Sequence, residues 1–443
     1  MRGFWSHSVG RLARLVDQRL RPGYLRFVSL TVLSLSVILL VVSFWTWDGT
    51  RTLFGPPLGA DYTGFYVAGT ILNQQESDRI YELELQDQLY HRLLPNAPAA
   101  EKLPFVYPPF FALLLRPFAA LPYAWAYLAW LGLSITLFLA GFVMTVRHTP
   151  NLTADDQLTA LLLCLSFEPL LIECWLGGQT SAFGLFAMVM ALHLEQRGRP
   201  LAGGFALSLC LYKPTLLLLI LPMLVLAGRW RILSGFTAGG TICLALSCLT
   251  VGWRGCLDYG ALLTQFTHAT AGDSTVLRTW KYVDVVSFVR LLEGRLSVGG
   301  WAAIFASTLT SLVFLTRAWR RAPASAQRTS HRTARDALLW SGTLTWTMVF
   351  NLYVGIYDTV LILPGLLLTA DVLRREVSLE RRPFPATFKL LLTLLYVVPW
   401  FSQFFATHLR LQLDTLVLVA TGAYQLALVP QIGRQSATSD QPG

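Results

Sequence analysis

Four polar motifs set among apolar runs carry the residue types from which a reaction centre could be built. The first is Gly59-Ala60-Asp61-Tyr62-Thr63-Gly64-Phe65-Tyr66, which follows the first long apolar run. A carboxylate among aromatic rings at a membrane surface is partly desolvated, and that raises its proton affinity toward general-base work. The same position also suits the N-cap of a helix starting at Tyr62. The second motif is Leu211-Tyr212-Lys213-Pro214-Thr215, where an ammonium group falls between two apolar stretches. A charge there is costly, so it marks a functional candidate, for instance a holder of an anionic lipid phosphate. Pro214 would open the next helix and leave its first N–H groups free to bind an anion. The plain alternative is a lysine that snorkels to the headgroups.

The third motif, Gly177-Gly178-Gln179-Thr180-Ser181, reads as a tight turn. Its glycines allow close backbone approach, and Gln179 could hydrogen-bond a sugar or phosphate. The fourth, Asn351-Leu352-Tyr353-Val354-Gly355-Ile356-Tyr357-Asp358, is another short turn, in which Asp358 could orient an acceptor or a lysine, or cap a helix. Glu168 and Glu173 lie within an apolar run and would be paired or protonated there. His268 and His408 stand too far apart in the chain to suggest a metal site, and none is expected. No phosphate-binding loop, dinucleotide fingerprint or nucleophile elbow occurs in a credible context, which argues against ATP-driven transport and serine hydrolysis.

The elements that hold these motifs follow from composition. The chain has 443 residues, of which 54% are hydrophobic and 14% charged. Soluble domains carry about 25% charged residues, so this chain cannot cover itself with a water-facing shell. Several apolar runs reach the ~18 residues that mark a membrane helix. The expected fold is therefore an all-α polytopic membrane bundle. Its net charge of +10 comes almost wholly from arginine, since Lys102, Lys213, Lys281 and Lys389 are the only lysines. The arginines flank apolar runs, which is the positive-inside pattern and not a nucleic-acid footprint. All six cysteines lie in or beside apolar runs without a CxxC pair, and read as small core residues with no disulfide implied.

The first run covers residues 28–47, preceded by Arg2, Arg11, Arg14, Arg19, Arg21 and Arg26 against Asp17 alone. This places the N-terminus inside and reads as an anchor, not a cleaved leader. Residues 48–104 form an acidic outer loop, in which Tyr81, Leu85, Leu89 and Leu93 repeat at a four-residue spacing that suggests an amphipathic helix in the interface. Residues 107–120, rich in proline and holding Arg116, suit a re-entrant or interfacial piece. Further runs cover 123–146, 158–175, 181–194, 201–212, 215–227, 232–251, 301–318, 338–352, 359–373, 390–405 and 413–430. Arginine-bearing loops alternate with them, which gives about twelve spans with both termini inside. Residues 252–300 form a second outer loop. A single domain over residues 1–430 and a disordered tail over 431–443 complete the expectation. No internal repeat is visible, which weakens a secondary-transporter reading.

Taken in order, these motifs resemble glycosyltransferase family 87, within the GT-C membrane glycosyltransferases. The resemblance rests on Asp61-Tyr62 through Tyr66-Val67-Ala68-Gly69 and on Phe105-Val106-Tyr107-Pro108-Pro109-Phe110 with Arg116-Pro117. It continues with Gly178-Gln179, Arg197-Gly198-Arg199 and Lys213-Pro214, and ends at Tyr357-Asp358. It implies inverting transfer of a hexose, typically mannose, from a polyprenyl-phosphate donor to a lipid or glycan acceptor on the outer face of a bacterial-type plasma membrane. No cofactor is implied. The family's catalytic base maps to Asp61. Lys213, Gln179, Asp358 and Tyr357, with Tyr62, Tyr66, Arg290 and His268, would line the active site or hold the donor phosphate. One departure lies in the second loop, which offers Asp273-Ser274 and Arg290-Leu291-Leu292 where an Asn-x-Ser-like stretch is expected before the Arg-Leu-Leu run. Two other classes stay open. One is a lipid-linked-sugar flippase or secondary transporter. The other is a surface-polysaccharide polymerase or ligase, which would use Arg278 and Arg290.

Overall fold

The computed structural model describes residues 21–54, 57–95, 104–272, 279–294, 296–320, 330–380 and 383–439. Among them every regular element is a helix, apart from one isolated antiparallel bridge between Tyr282 and Gly355. Pro22–Trp45 opens with proline in its first turn, a position where the missing N–H costs nothing. It is apolar all round, with Leu30, Leu35, Val37, Ile38 and Val41 exposed, as a lipid-facing helix should be.

Among the described residues six helices are long and apolar enough to cross a bilayer: Pro22–Trp45, Tyr123–Val146, Trp230–Thr264, Val298–Arg320, Ile356–Leu379 and Leu413–Pro430. Two bent pairs, Ala154–Leu165 with Pro169–Leu176 and Ala386–Val397 with Pro399–Leu409, bring the total to eight if each is one span. The count of about twelve expected from sequence is not confirmed. The difference has a local cause. Pro200–Tyr212 and Pro214–Leu226 are short apolar pieces that end or begin at proline and pass through 3-10 turns around Lys213. Ser181–Gln196 has only 16 residues, and Ser330–Val349 opens on Ser-His-Arg-Thr-Ala-Arg-Asp.

Residues 107–120 do not cross. They form a seven-residue helix, Pro109–Leu115, and a 3-10 turn, Phe118–Ala120, both tucked against Tyr62–Asn73. The four-residue repeat of the first loop becomes the helix Leu83–Leu93, with Leu85 and Leu89 buried. The last helix runs Leu413–Ser439.

Close approach of backbones holds the middle of the bundle together. A methyl group on Gly204 would lie 1.9 Å from the Ile232 carbonyl, and one on Gly235 2.0 Å from that of Leu201. Gly235 and Gly239, four residues apart, form the small-residue seam that lets Trp230–Gly272 pack directly on Pro200–Ser208.

The two ends of the bundle differ. At the end where Arg26 starts the first helix, Arg26 pairs with Asp155, Arg374 with Asp156, and Arg229 with Glu195 and Asp336. Asn151 also donates to Asp371 there, at 2.8 Å. The opposite end gathers the motifs of the candidate site.

Candidate active site

Asp61 sits just before the helix Tyr62–Asn73, as a cap would, yet its side chain makes no capping hydrogen bond. Its backbone N–H donates to the Gly177 carbonyl at 2.9 Å, and its Oδ2 accepts from Gln179 Nε2 at 2.7 Å. The turn that supplies Gln179 is shaped by Gly178, at φ +84°, where a Cβ would lie 2.6 Å from the Cβ of Tyr62. Glycine is therefore required for the two segments to touch. Gln179 is buried, and its Oε1 has no hydrogen-bond partner among the described residues. Asp61 itself is half-buried, so it remains within reach of a substrate.

Lys213 does not snorkel. Its ammonium group pairs with Asp358 Oδ2, and it lies 4.9 Å from the centre of the Tyr357 ring. The Lys213 side chain keeps 15% exposure and Asp358 none. Ser181 Oγ donates to the other Asp358 oxygen at 3.3 Å, so the Gln179 turn also reaches this pair. Asp358 thus holds a lysine, one of the roles its sequence position allowed.

Tyrosines join the two halves. Tyr107, Tyr282 and Tyr357 each feel the charge of both Asp61 and Asp358. Burial pushes the phenols of Tyr107 and Tyr282 well above their usual range, so they stay protonated and able to donate. Tyr107 stacks parallel on Tyr212, with ring centres 6.2 Å apart, beside the Lys213 turn. Tyr107, Tyr282 and Ser181 were not singled out as lining residues from sequence, whereas Tyr357 was. The only signal for Tyr107 was its place before Pro108-Pro109.

A strap from the second loop closes this end. Val283 N–H donates to the Val354 carbonyl, and Asp284 accepts from Val354 N and from both the backbone and hydroxyl of Ser287. Asp284 is fully buried, and burial lifts its carboxyl to about 6 despite those donors. Arg290 is buried on the same strap, with Nη1 3.4 Å from the Tyr353 hydroxyl. It reaches the site through Tyr353 and Tyr282, whose rings are 5.8 Å apart. Beside the strap, Glu173 pairs with Lys281 and accepts from Gln403, so this buried acid is paired. The neighbouring Glu168 Oε2 has no hydrogen-bond partner among the described residues.

Other expected lining residues go elsewhere. Tyr62 and Tyr66 turn into an aromatic cluster with Tyr123, and Tyr62 also meets Tyr127 and Trp130. Tyr66 donates to the Leu121 carbonyl at 2.8 Å. Both pack the helix that presents Asp61. His268 lies on the helix Trp230–Gly272, but its side chain is outside the described residues, as are Arg278, Asp273 and Ser274. His408 stacks on Phe404 and is exposed. Among the described residues no three His, Cys, Asp or Glu side chains are placed to share a metal ion.

Fold and site together define a multi-pass membrane protein with a carboxylate and an amine–carboxylate pair gathered at one end of the bundle. The family model of glycosyltransferase family 87 matches residues 105–350, more than half of the chain, and the chain belongs to that family. It is a membrane glycosyltransferase. That membership sets aside the transporter reading. Gln179, Lys213 and Arg290 lie within the matched segment, whereas Asp61, Tyr357 and Asp358 lie outside it, so the match is narrower than the motif resemblance. Comparison with curated proteins and with solved structures gives no match.

Proposed function

We propose that the protein transfers a hexose, mannose by the resemblance, from a polyprenyl-phosphate donor to a lipid or glycan acceptor on the extracytoplasmic face, with inversion at the anomeric carbon. The observation that carries this reading is the placement of the Asp61 carboxylate at the start of its helix, where it accepts from Gln179 beside the Lys213–Asp358 pair. Asp61 takes the proton of the acceptor hydroxyl as that oxygen attacks the anomeric carbon. The bond from that carbon to the lipid-phosphate oxygen breaks, and its electron pair leaves with the phosphate. Lys213, oriented by Asp358, stabilises the departing anion, while the protonated phenols of Tyr107 and Tyr282 donate to sugar or phosphate oxygens. The arginine-rich end of the bundle supports the outward orientation of the site by the positive-inside rule.

The test incubates purified protein with polyprenyl-phosphate mannose and membrane lipid extract, and identifies products by mass. A mannosylated product is expected. The variant Asp61→Asn should lose ~10²–10⁴-fold in rate, the usual contribution of a general base, while remaining folded. Near-normal transfer by Asp61→Asn would remove Asp61 as the base. Transfer only from a nucleotide sugar would remove the donor class.

A further inference from the structure

We propose that Cys248 and Cys256 are a disulfide-forming pair that staples the kink in the helix Trp230–Gly272. Residues eight apart on a straight α-helix are separated by ~12 Å along the axis. Here the two Sγ atoms are 3.7 Å apart. The cause is Gly252, which lies midway between them with φ 71° and ψ 173°, a conformation open to glycine and strained for other residues. Both cysteines are partly exposed, unlike Cys164, Cys174, Cys210 and Cys243, which are buried. Trp253 is exposed at 64%, and Arg254 beside it is also exposed, so the kink lies on the outer surface of the bundle.

The depth of the kink favours oxidation. Arg229 and Arg231 flank the start of this helix, and about 20 residues from there span the hydrocarbon core, which ends the crossing near residue 250. The thiols then lie at the outer interface. This part rests on the outward-facing reading proposed above. There a disulfide-bearing oxidant, protein or small molecule, can form the bond in two exchanges. The thiolate of one cysteine attacks a sulfur of the oxidant and expels a thiolate, which gives a mixed disulfide. The second cysteine, deprotonated, attacks the first and expels the other thiolate. The pair gives up two electrons and two protons, and the oxidant's disulfide becomes two thiols.

The staple sits between two ties to the site. Before the kink, Ser247 Oγ accepts the Phe110 N–H at 3.1 Å. After it, Tyr259 packs on Tyr81 at 5.4 Å, and the Tyr81 hydroxyl donates to the Tyr107 carbonyl at 2.8 Å. Fixing the kink therefore fixes the segment that presents Tyr107. The proposal departs, for this pair alone, from the reading of all six cysteines as core residues with no disulfide implied.

Trypsin cuts after Arg254 and so separates the two cysteines, which makes the bond visible as a linked peptide pair, 232–254 with 255–278. The full-length protein is taken from membranes with thiols blocked at lysis by a maleimide, then digested without reductant. The linked pair is expected. It should vanish on reduction and in Cys248→Ser, and persist in Cys243→Ser, which controls for the other thiol in the same peptide. Gly252→Ala, which has open space for its methyl but resists the φ, should lower the linked fraction. Blocked thiols at both positions overturn the proposal. Labelling of reduced Cys256 by a membrane-impermeant maleimide in sealed right-side-out vesicles then separates the causes. If the label enters, the pairing alone is wrong; if it does not, the outward-facing reading fails as well.

Discussion

At the scale of single residues, the candidate site holds two part-buried contacts whose removal should have different signatures. Asp358 is fully buried and Lys213 nearly so. Deleting one member of such a pair strands the other charge, at a cost of ~3–5 kcal/mol. Lys213→Ala should therefore lower thermal stability as well as donor use. The double variant Lys213→Met with Asp358→Asn should recover the stability and not the donor affinity, as read by unfolding in detergent and by the KM for donor. Recovery of both would make the pair a structural tie only. Gln179 is different, because it is neutral and the carboxylate it donates to is half-buried, so water can replace the lost donor. Gln179→Ala should lower kcat by ~10-fold, the loss of one charge-assisted hydrogen bond, with the donor KM little changed. An unchanged kcat would show that Asp61 needs no help in orientation. Asp61, Lys213, Gln179 and Asp358 were legible because a charge or amide in apolar surroundings has few bland explanations. Tyr107 and Tyr282 were not, because tyrosine is also common in interfacial belts and tight aromatic packing.

At the scale of elements, the turn geometry is what makes one site from distant segments. Gly178→Ala would put a methyl group 2.6 Å from the Tyr62 Cβ at a backbone φ of +84°, so the turn must move away from the helix that carries Asp61. The expected result is loss of transfer together with a lower melting temperature. Gln179→Ala, by contrast, should cost activity without much stability, and equal stability losses in the two would contradict this division. Sequence periodicity recovered the helix Leu83–Leu93, because one wetted face imposes a four-residue repeat. Sequence also placed the two pieces on either side of Lys213, as the runs 201–212 and 215–227, but counted each as a crossing. In a fully apolar run no periodicity distinguishes an unbroken crossing from two half-helices joined by 3-10 turns. Proline at 200 and 214 was the visible cue, and it places the breaks without deciding how much of the bilayer each piece covers.

At the scale of the whole molecule, the candidate site is gathered at one end and ionic ties at the other, where Arg26, Arg229 and Arg374 bind helices together. That tied end also holds a titratable contact. His148 Nε2 lies 2.8 Å from His193 Nδ1, so one of the two rings must be neutral at that atom. Burial, with the nearby His193, Arg197 and Arg147, pushes the His148 imidazole down from 6.5 to about 4. An unfolded chain therefore binds the proton first as pH falls, and the folded state loses stability across that window. The contribution is fully present above pH 6.5 and fades as pH drops toward 4. His148→Gln, which keeps a hydrogen-bonding side chain and cannot take up a proton, should remove this component. The excess of the wild-type melting temperature over that of the variant should thus shrink steadily when detergent-solubilised protein is acidified through the window. A difference that stays constant, or grows, across it would mean that His148 is not held neutral by its surroundings and that this end of the bundle has no acid-sensitive tie at His148.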